Sequence, residues 1–267
     1  QIGAEILGVD IRKLDQETFD VIYQTWLDCN IIAVRDQTLE LEDFFTYSRR
    51  FGNLYAHPSK STRHPDHPEL TVLGANKFDK KGKLDKAIYG RGSDNWHTDG
   101  AYDEIPFKAT QLYALAIPSQ GGDTLFASMY AAYDALPQDL KDRVGERQGG
   151  FTYGGRRKAT ALLNPEDRDW TPVWHPIIRT HPETGRKCLF IGDQVQRFDA
   201  LTLEESAPLL DFLMTHIQRP EFTCRVRWAP GTLVMWDNRC TCHYAVADYV
   251  GFPRRMHRVT IAGDTPY

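Results

Sequence analysis

His97 and Asp99 stand one residue apart in the run Asn95-Trp96-His97-Thr98-Asp99. On an extended strand, side chains two positions apart leave the same face, so this imidazole and this carboxylate can share one cation. They supply two thirds of the two-histidine, one-carboxylate set that holds Fe(II) by one face and leaves three positions open. The pair alone is weak evidence, because His-x-Asp recurs often by chance. A remote histidine strengthens it. His243 follows a buried-looking strand, Thr232–Trp236, and the polar turn Asp237-Asn238-Arg239. A close pair plus one distant histidine is how a jelly roll assembles three ligands from neighbouring strands.

Other residues compete for the same chemistry. Cys240-Thr241-Cys242-His243 has the ingredients of a zinc site, but structural zinc takes four ligands with wider cysteine spacing and a second pair. His64, His67, His181 and His216 read as turn or surface-helix residues, and His175, before Pro176, reads as structural. Downstream of His243 lie Arg254, Arg255 and Arg258, and guanidinium groups bind carboxylates through paired hydrogen bonds. Met256 and Val259–Ala262 make an apolar, strand-like setting for Arg258. An arginine aimed inward from such a strand needs an anion, and a bound organic acid supplies one.

The elements that would carry these residues are mostly short strands. An opening strand is expected within 2–9. A helix capped by Asp15 runs to about Cys29 with Phe19, Ile22 and Trp26 on one face, and Ile31–Val34 reads as a buried strand. Thr38 is expected to cap a second helix with Leu41, Phe44, Phe45, Ser48 and Phe51 inside, closed by Gly52. Further strands are expected at Leu70–Leu73, Ala109–Ala116, Thr124–Ala127, Ile177–Arg179, Leu189–Ile191, Thr223–Trp228, Thr232–Trp236 and Arg258–Ala262. Two helices interrupt them, 129–136 after Ser128 and 203–216 behind the capping box of Thr202 and Glu205. Such a chain reads as mainly β with flanking helices, a jelly roll (double-stranded β-helix), because no strand–helix–strand rhythm is present.

At 267 residues without a linker-like stretch, 1–267 reads as one domain. Residues 76–95, basic and rich in Gly and Asp, lead directly into His97 and read as a lid-like insertion. A net charge of -4 argues against nucleic acid, and no apolar run approaches a membrane span. Five scattered cysteines, an odd number, do not form a disulfide framework, which points to a reducing cytoplasm. The chain begins at Gln1, so a short preceding piece is expected. Exposed helices at 15–29 and 38–51 are the expected contact surfaces of a homo-oligomer.

Taken in order, the motifs resemble the taurine dioxygenase (TauD/TfdA) family of Fe(II)/2-oxoglutarate-dependent dioxygenases. The resemblance spans nearly the whole chain: Ile2-Gly3-Ala4-Glu5, Val34-Arg35-Asp36-Gln37, His57-Pro58, Asn95 to Asp99, Gly121-Gly122-Asp123-Thr124-Leu125, Arg179-Thr180-His181-Pro182, Trp236 to Arg239, His243-Tyr244-Ala245 and Met256-His257-Arg258. It implies a double-stranded β-helix with His97, Asp99 and His243 as iron ligands and with 2-oxoglutarate and O2 as cosubstrates. Arg254 and Thr124 would then bind the far carboxylate of 2-oxoglutarate. Arg258 and His57 match the positions that hold the substrate's anionic head, with Asn95 and Gly100 beside them. The implied reaction hydroxylates a small anionic organic substrate, a sulfonate or alkyl sulfate, next to its heteroatom, releasing succinate and CO2 and cleaving the substrate. Ether cleavage of an aryloxyalkanoate is the alternative within the family; a non-catalytic metal-binding jelly roll or a metal-dependent hydrolase are the alternatives outside it. Gly100 departs from the larger apolar residue of the taurine enzyme, Ser93 from its asparagine, and 76–95 and 192–201 also differ. Those departures bear on the substrate rather than on the oxygenase chemistry.

Overall fold

The computed structural model describes residues 2–56, 64, 66–74, 95–153, 155, 171–249, 252 and 254–267. His57, Ser93 and all of the expected lid except Asn95 lie outside the described residues. Two β-sheets dominate. The larger has six strands in the order β1 (Ala4–Ile6), β2 (Ile31–Val34), β12 (Leu233–Asp237), β4 (Ala109–Ala116), β14 (Arg255–Ile261) and β3 (Thr71–Leu73). Only the β1–β2 pair in it is parallel. The smaller sheet orders β11 (Thr223–Val226), β5 (Thr124–Ser128) and β13 (Thr241–Ala245), all antiparallel.

Period-two alternation explains how the sheets face each other. Ile31 and Ala33 of β2, Val234 and Trp236 of β12, Leu112 and Ala114 of β4, and Met256 of β14 meet Phe126 and Val226 of the smaller sheet. The alternate residues Ile32, Val34, Leu233, Met235, Tyr113, Val259 and Ile261 face the other way. They pack under α1 (Gln16–Cys29) and α2 (Leu41–Arg49) through Phe19, Ile22, Trp26, Phe44 and Phe45. Both faces of β2 are covered, which is why it reads as an unbroken apolar run. A third cluster covers the back of the smaller sheet, where Ala127 and Cys242 meet α3 (Met129–Asp134) and α5 (Leu203–Ile217). This is the jelly roll with flanking helices that the pattern predicts.

Caps and boundaries follow local chemistry. The Asp15 carboxylate accepts from the Thr18 N–H to start α1, and Thr202 with Glu205 closes the capping box of α5. Helix α2 starts later than expected. Its capping box is Glu40 with Asp43, and Thr38 precedes it by two residues. Five elements escaped the sequence pattern: α4 (Gln138–Gly145), β6 (Gln148–Phe151), β7 (Val173–Pro176), β10 (Val195–Phe198) and β13. Strand β6 contains Gly149-Gly150, pressed against Ile177 and Trp174, so the cue was close packing and not hydrophobic alternation. Among the described residues, no helix is long and apolar enough to cross a membrane.

Candidate metal centre

The smaller sheet supplies one histidine directly. His243 pairs with Phe126, which faces the interior, so its imidazole enters the space between the sheets. His97 arrives differently from the expectation. It lies outside the named strands, in an isolated bridge to His243, and Asp99-Gly100 already belongs to a turn. The two histidines exchange both backbone hydrogen bonds at 2.9 Å, which sets their rings 4.1 Å apart. The turn, not strand alternation, then returns Asp99 to the same point. His97 Nε2 is 3.7 Å from Asp99 Oδ1, and His243 Nε2 is 4.0 Å from Asp99 Oδ2. One ligand atom from each residue lies within 4.8 Å of the others, and all three are buried.

The protonation states suit a cation. His97 Nδ1 lies 2.8 Å from the Asn95 carbonyl, which can only accept, so Nδ1 carries the proton and Nε2 keeps its lone pair for a metal. Burial, with His97 alongside, depresses the His243 imidazole to about 3 and leaves it neutral. Burial alone would raise the Asp99 carboxyl. The neighbouring His243, Arg258 and His97, with a hydrogen bond from Thr110, outweigh it and hold the group at about 2. Two imidazoles and one carboxylate form the donor set that Fe(II) accepts.

Arg258 borders this point, and a second arginine, Arg254, also has a donor without a partner among the described residues. Arg258, on the β14 strand opposite Leu112, places Nη1 3.9 Å from Asp99 Oδ1, while its buried Nε has no partner among the described residues. Arg254 is buried, its Nε has no partner among the described residues, and its guanidinium lies 5.4 Å from the Tyr249 ring. A side chain on Gly122, at φ +75°, would meet Pro118 and Tyr249 and come within 3.5 Å of the Arg254 Nε, so glycine keeps this space open two residues before Thr124. The Thr124 hydroxyl accepts from the Trp228 indole at 3.0 Å, which leaves its own proton free to meet an anionic oxygen.

Asn95 and Gly100 take backbone parts. The Asn95 carbonyl orients His97, and Gly100 adopts φ +72° in the turn after Asp99. A Cβ on Gly100 would lie 2.8 Å from the Phe107 ring, so the departure from a larger residue has a steric cause. Residues 192–201 also reach the candidate ligands. The Gln194 amide accepts from Thr98 N and donates to Thr98 O, at 3.1 and 2.7 Å, clamping the residue between His97 and Asp99. Sequence reasoning missed Gln194 because its partner is 96 positions away. It also missed Tyr102, whose ring meets Tyr153 edge-on at 5.0 Å, and Thr110, which donates to Asp99 Oδ2 at 2.8 Å.

A second group, His181, Asp237 and Cys240, also brings its ligand atoms within 4.8 Å of one another. Its hydrogen bonds close it to a metal. His181 Nδ1 accepts from the Glu183 and Thr184 N–H groups, so Nε2 carries the proton and donates to Asp237 at 3.1 Å. Arg239 occupies both Asp237 oxygens at 2.9 and 2.7 Å and reaches Glu183. His181 and His216 are therefore core residues, not surface ones, at 1% and 6% exposure.

Facing sheets that bury two histidines and a carboxylate between them, in a chain that matches the family model over nearly its whole length, define a 2-oxoglutarate-dependent non-haem iron dioxygenase working with Fe(II), 2-oxoglutarate and O2. The chain belongs to the taurine catabolism dioxygenase TauD, TfdA family, whose model matches residues 1–260. It is 33% identical to an alpha-ketoglutarate-dependent sulfate ester dioxygenase of Pseudomonas putida, covering 100% of this chain and 88% of the relative. It is 34% identical to the (S)-phenoxypropionate/alpha-ketoglutarate-dioxygenase of Sphingobium herbicidovorans, covering 98% and 92%. A crystal structure of a taurine dioxygenase from Burkholderia xenovorans superposes with a TM-score of 0.82 at 31% identity, covering 99% of this chain and 87% of that one.

Proposed function

We propose that His97, Asp99 and His243 hold the iron, that Arg254 and Thr124 bind the far carboxylate of 2-oxoglutarate, and that Arg258 takes the anionic head of a small alkyl sulfate or sulfonate. The observation that carries the substrate reading is Arg258: a guanidinium beside the Asp99 carboxylate with a buried, unpaired Nε. A buried donor without a partner costs about 1–3 kcal/mol, so an anion that reaches it gains both charge and hydrogen bonding. Iron with 2-oxoglutarate and O2 supplies oxidation of a C–H bond, with succinate and CO2 as coproducts. The protein's part is to hold the sulfate or sulfonate so that the adjacent C–H faces the metal, and to keep water out with the apolar wall of Trp236 and Phe126. A hydroxylated carbon that bears the sulfate or sulfonate then collapses, losing the hydroxyl proton and breaking its bond to the heteroatom, which leaves an aldehyde or ketone and free sulfate or sulfite.

The 34% identity to the phenoxypropionate enzyme supports a second reading, in which Arg258 takes the carboxylate of an aryloxyalkanoate. One experiment separates them: alkyl sulfates, sulfonates and phenoxyalkanoates assayed for succinate release under Fe(II) and 2-oxoglutarate. Turnover of sulfates or sulfonates well above phenoxyalkanoates is expected. The reverse order replaces the substrate class, and no substrate-dependent succinate with any anion removes Arg258 from its role.

A further inference from the structure

Behind the carboxylate ligand runs a chain of side-chain hydrogen bonds that ends in the core. Thr110 Oγ1 donates to Asp99 Oδ2 at 2.8 Å. Asn238 Nδ2 donates to Thr110 Oγ1 at 3.0 Å, and the Trp236 indole Nε1 donates to Asn238 Oδ1 at 2.9 Å. Thr110, Asn238 and Trp236 are all at most 2% exposed, so water does not compete for these positions.

The direction of every bond is forced from the far end. An indole N–H can only donate, so the Asn238 atom facing it must be the carbonyl oxygen. That turns the amide NH2 toward Thr110 and occupies the hydroxyl's acceptor side, and the single hydroxyl proton is left pointing at Asp99 Oδ2. Oδ2, which faces His243 Nε2 at 4.0 Å, then gives one lone pair to this hydrogen bond, while Oδ1 accepts none among the described residues and faces His97 Nε2 at 3.7 Å and Arg258 Nη1 at 3.9 Å, so Oδ1 is the less engaged oxygen for a metal. The same indole packs against the His243 ring at a centroid distance of 4.8 Å.

We infer that Trp236, Asn238 and Thr110 are positioning residues that select Oδ1 of Asp99 as the metal-binding oxygen. The indole thereby fixes two ligands at once, His243 by contact and Asp99 through the relay. This rests on the reading of His97, Asp99 and His243 as the ligand set.

The test measures Mn(II) binding to the metal-free protein by the loss of the free-ion electron paramagnetic resonance signal, with a thermal melt of each apoprotein. Thr110→Val keeps the shape and removes the proton donor, and it should weaken Mn(II) about 10- to 100-fold, the usual effect of losing an outer-shell partner. Thr110→Ser restores the donor and should recover most of that loss. Asn238→Asp turns the relay's donor into an acceptor that competes with Asp99 for the Thr110 proton, and it should weaken binding as Thr110→Val does. Equal Mn(II) affinity in wild type and Thr110→Val overturns the relay. So does an equal loss in the Ser and Val variants, which would make the effect one of packing. If Thr110→Val melts too low to assay, Thr110→Ser against Asn238→Asp decides: the relay requires the first to bind well and the second poorly. His97→Ala serves as the control. Mn(II) affinity unchanged in that variant sinks the ligand assignment itself, a failure distinct from the relay's.

Discussion

The two arginines, Arg254 buried and Arg258 partly so, should separate in kinetics. Arg254→Ala should raise the 2-oxoglutarate concentration needed for half-maximal succinate release by at least tenfold, since a charge-assisted pair contributes about 1.5–3 kcal/mol. A requirement within twofold of wild type removes Arg254 from the cosubstrate site. Arg258→Ala should instead raise the KM for anionic substrates while sparing a neutral analogue of matched length. Equal losses on both would mean that Arg258 supports the site without touching the anion. His243→Ala should abolish substrate-dependent succinate formation, and activity within a few-fold of wild type would exclude it as a ligand.

At the scale of elements, the turn after Asp99 is the exacting one. Gly100→Ala meets both a left-handed backbone and the Phe107 ring at 2.8 Å, so it should destabilise the protein by about 1–3 kcal/mol in urea unfolding. Stability equal to wild type would show that the turn relaxes freely. This turn also marks where sequence reasoning reached its limit. Alternation predicted that His97 and Asp99 share a face, and they do converge, but through a bridge and a turn and not along a strand. Most strands of the main sheets were legible, because residues such as Ile31–Val34 and Thr232–Trp236 are apolar runs bounded by turn residues. Strand β13 was not, since Thr241-Cys242-His243 has no apolar period. Only its pairing with β5 reveals it. The Gln194 clamp and the Thr110 contact were invisible for a similar reason: each depends on which distant backbone or side chain lies opposite.

For the molecule as a whole, the charged cluster behind the site controls acid stability. Burial opposes the charge on Asp237, but Arg239 and the His181 hydrogen bond hold its carboxyl well below the usual carboxylate range. Burial likewise opposes Glu183, and hydrogen bonds from Tyr23, Arg239 and Lys108 bring it to about 2. Both groups bind protons more weakly folded than unfolded, so the unfolded chain gains protons first as pH falls. Their contribution is complete above the ordinary carboxyl range of about 4 and fades as pH drops toward 2 and below. The apoprotein's Tm should therefore fall steeply below about pH 4, and Asp237→Asn should flatten that slope. An unchanged slope would remove Asp237 as its source. Arg239→Leu strands the Asp237 charge at 1% exposure and should cost about 3–5 kcal/mol at neutral pH, read by urea unfolding.

The reciprocal backbone pair between His97 and His243 bears on the order of events in folding. Its neighbouring bond, from Thr98 to the Thr241 carbonyl, closes a loop of 143 positions. Closing a loop that long carries its entropy cost before any contact repays it, so such pairings form late. A chain still emerging from the ribosome has His97 and Asp99 long before it has His243. If His97, Asp99 and His243 are the ligands proposed above, the full set exists only after the last strands dock, and metal loading would then report that folding is complete.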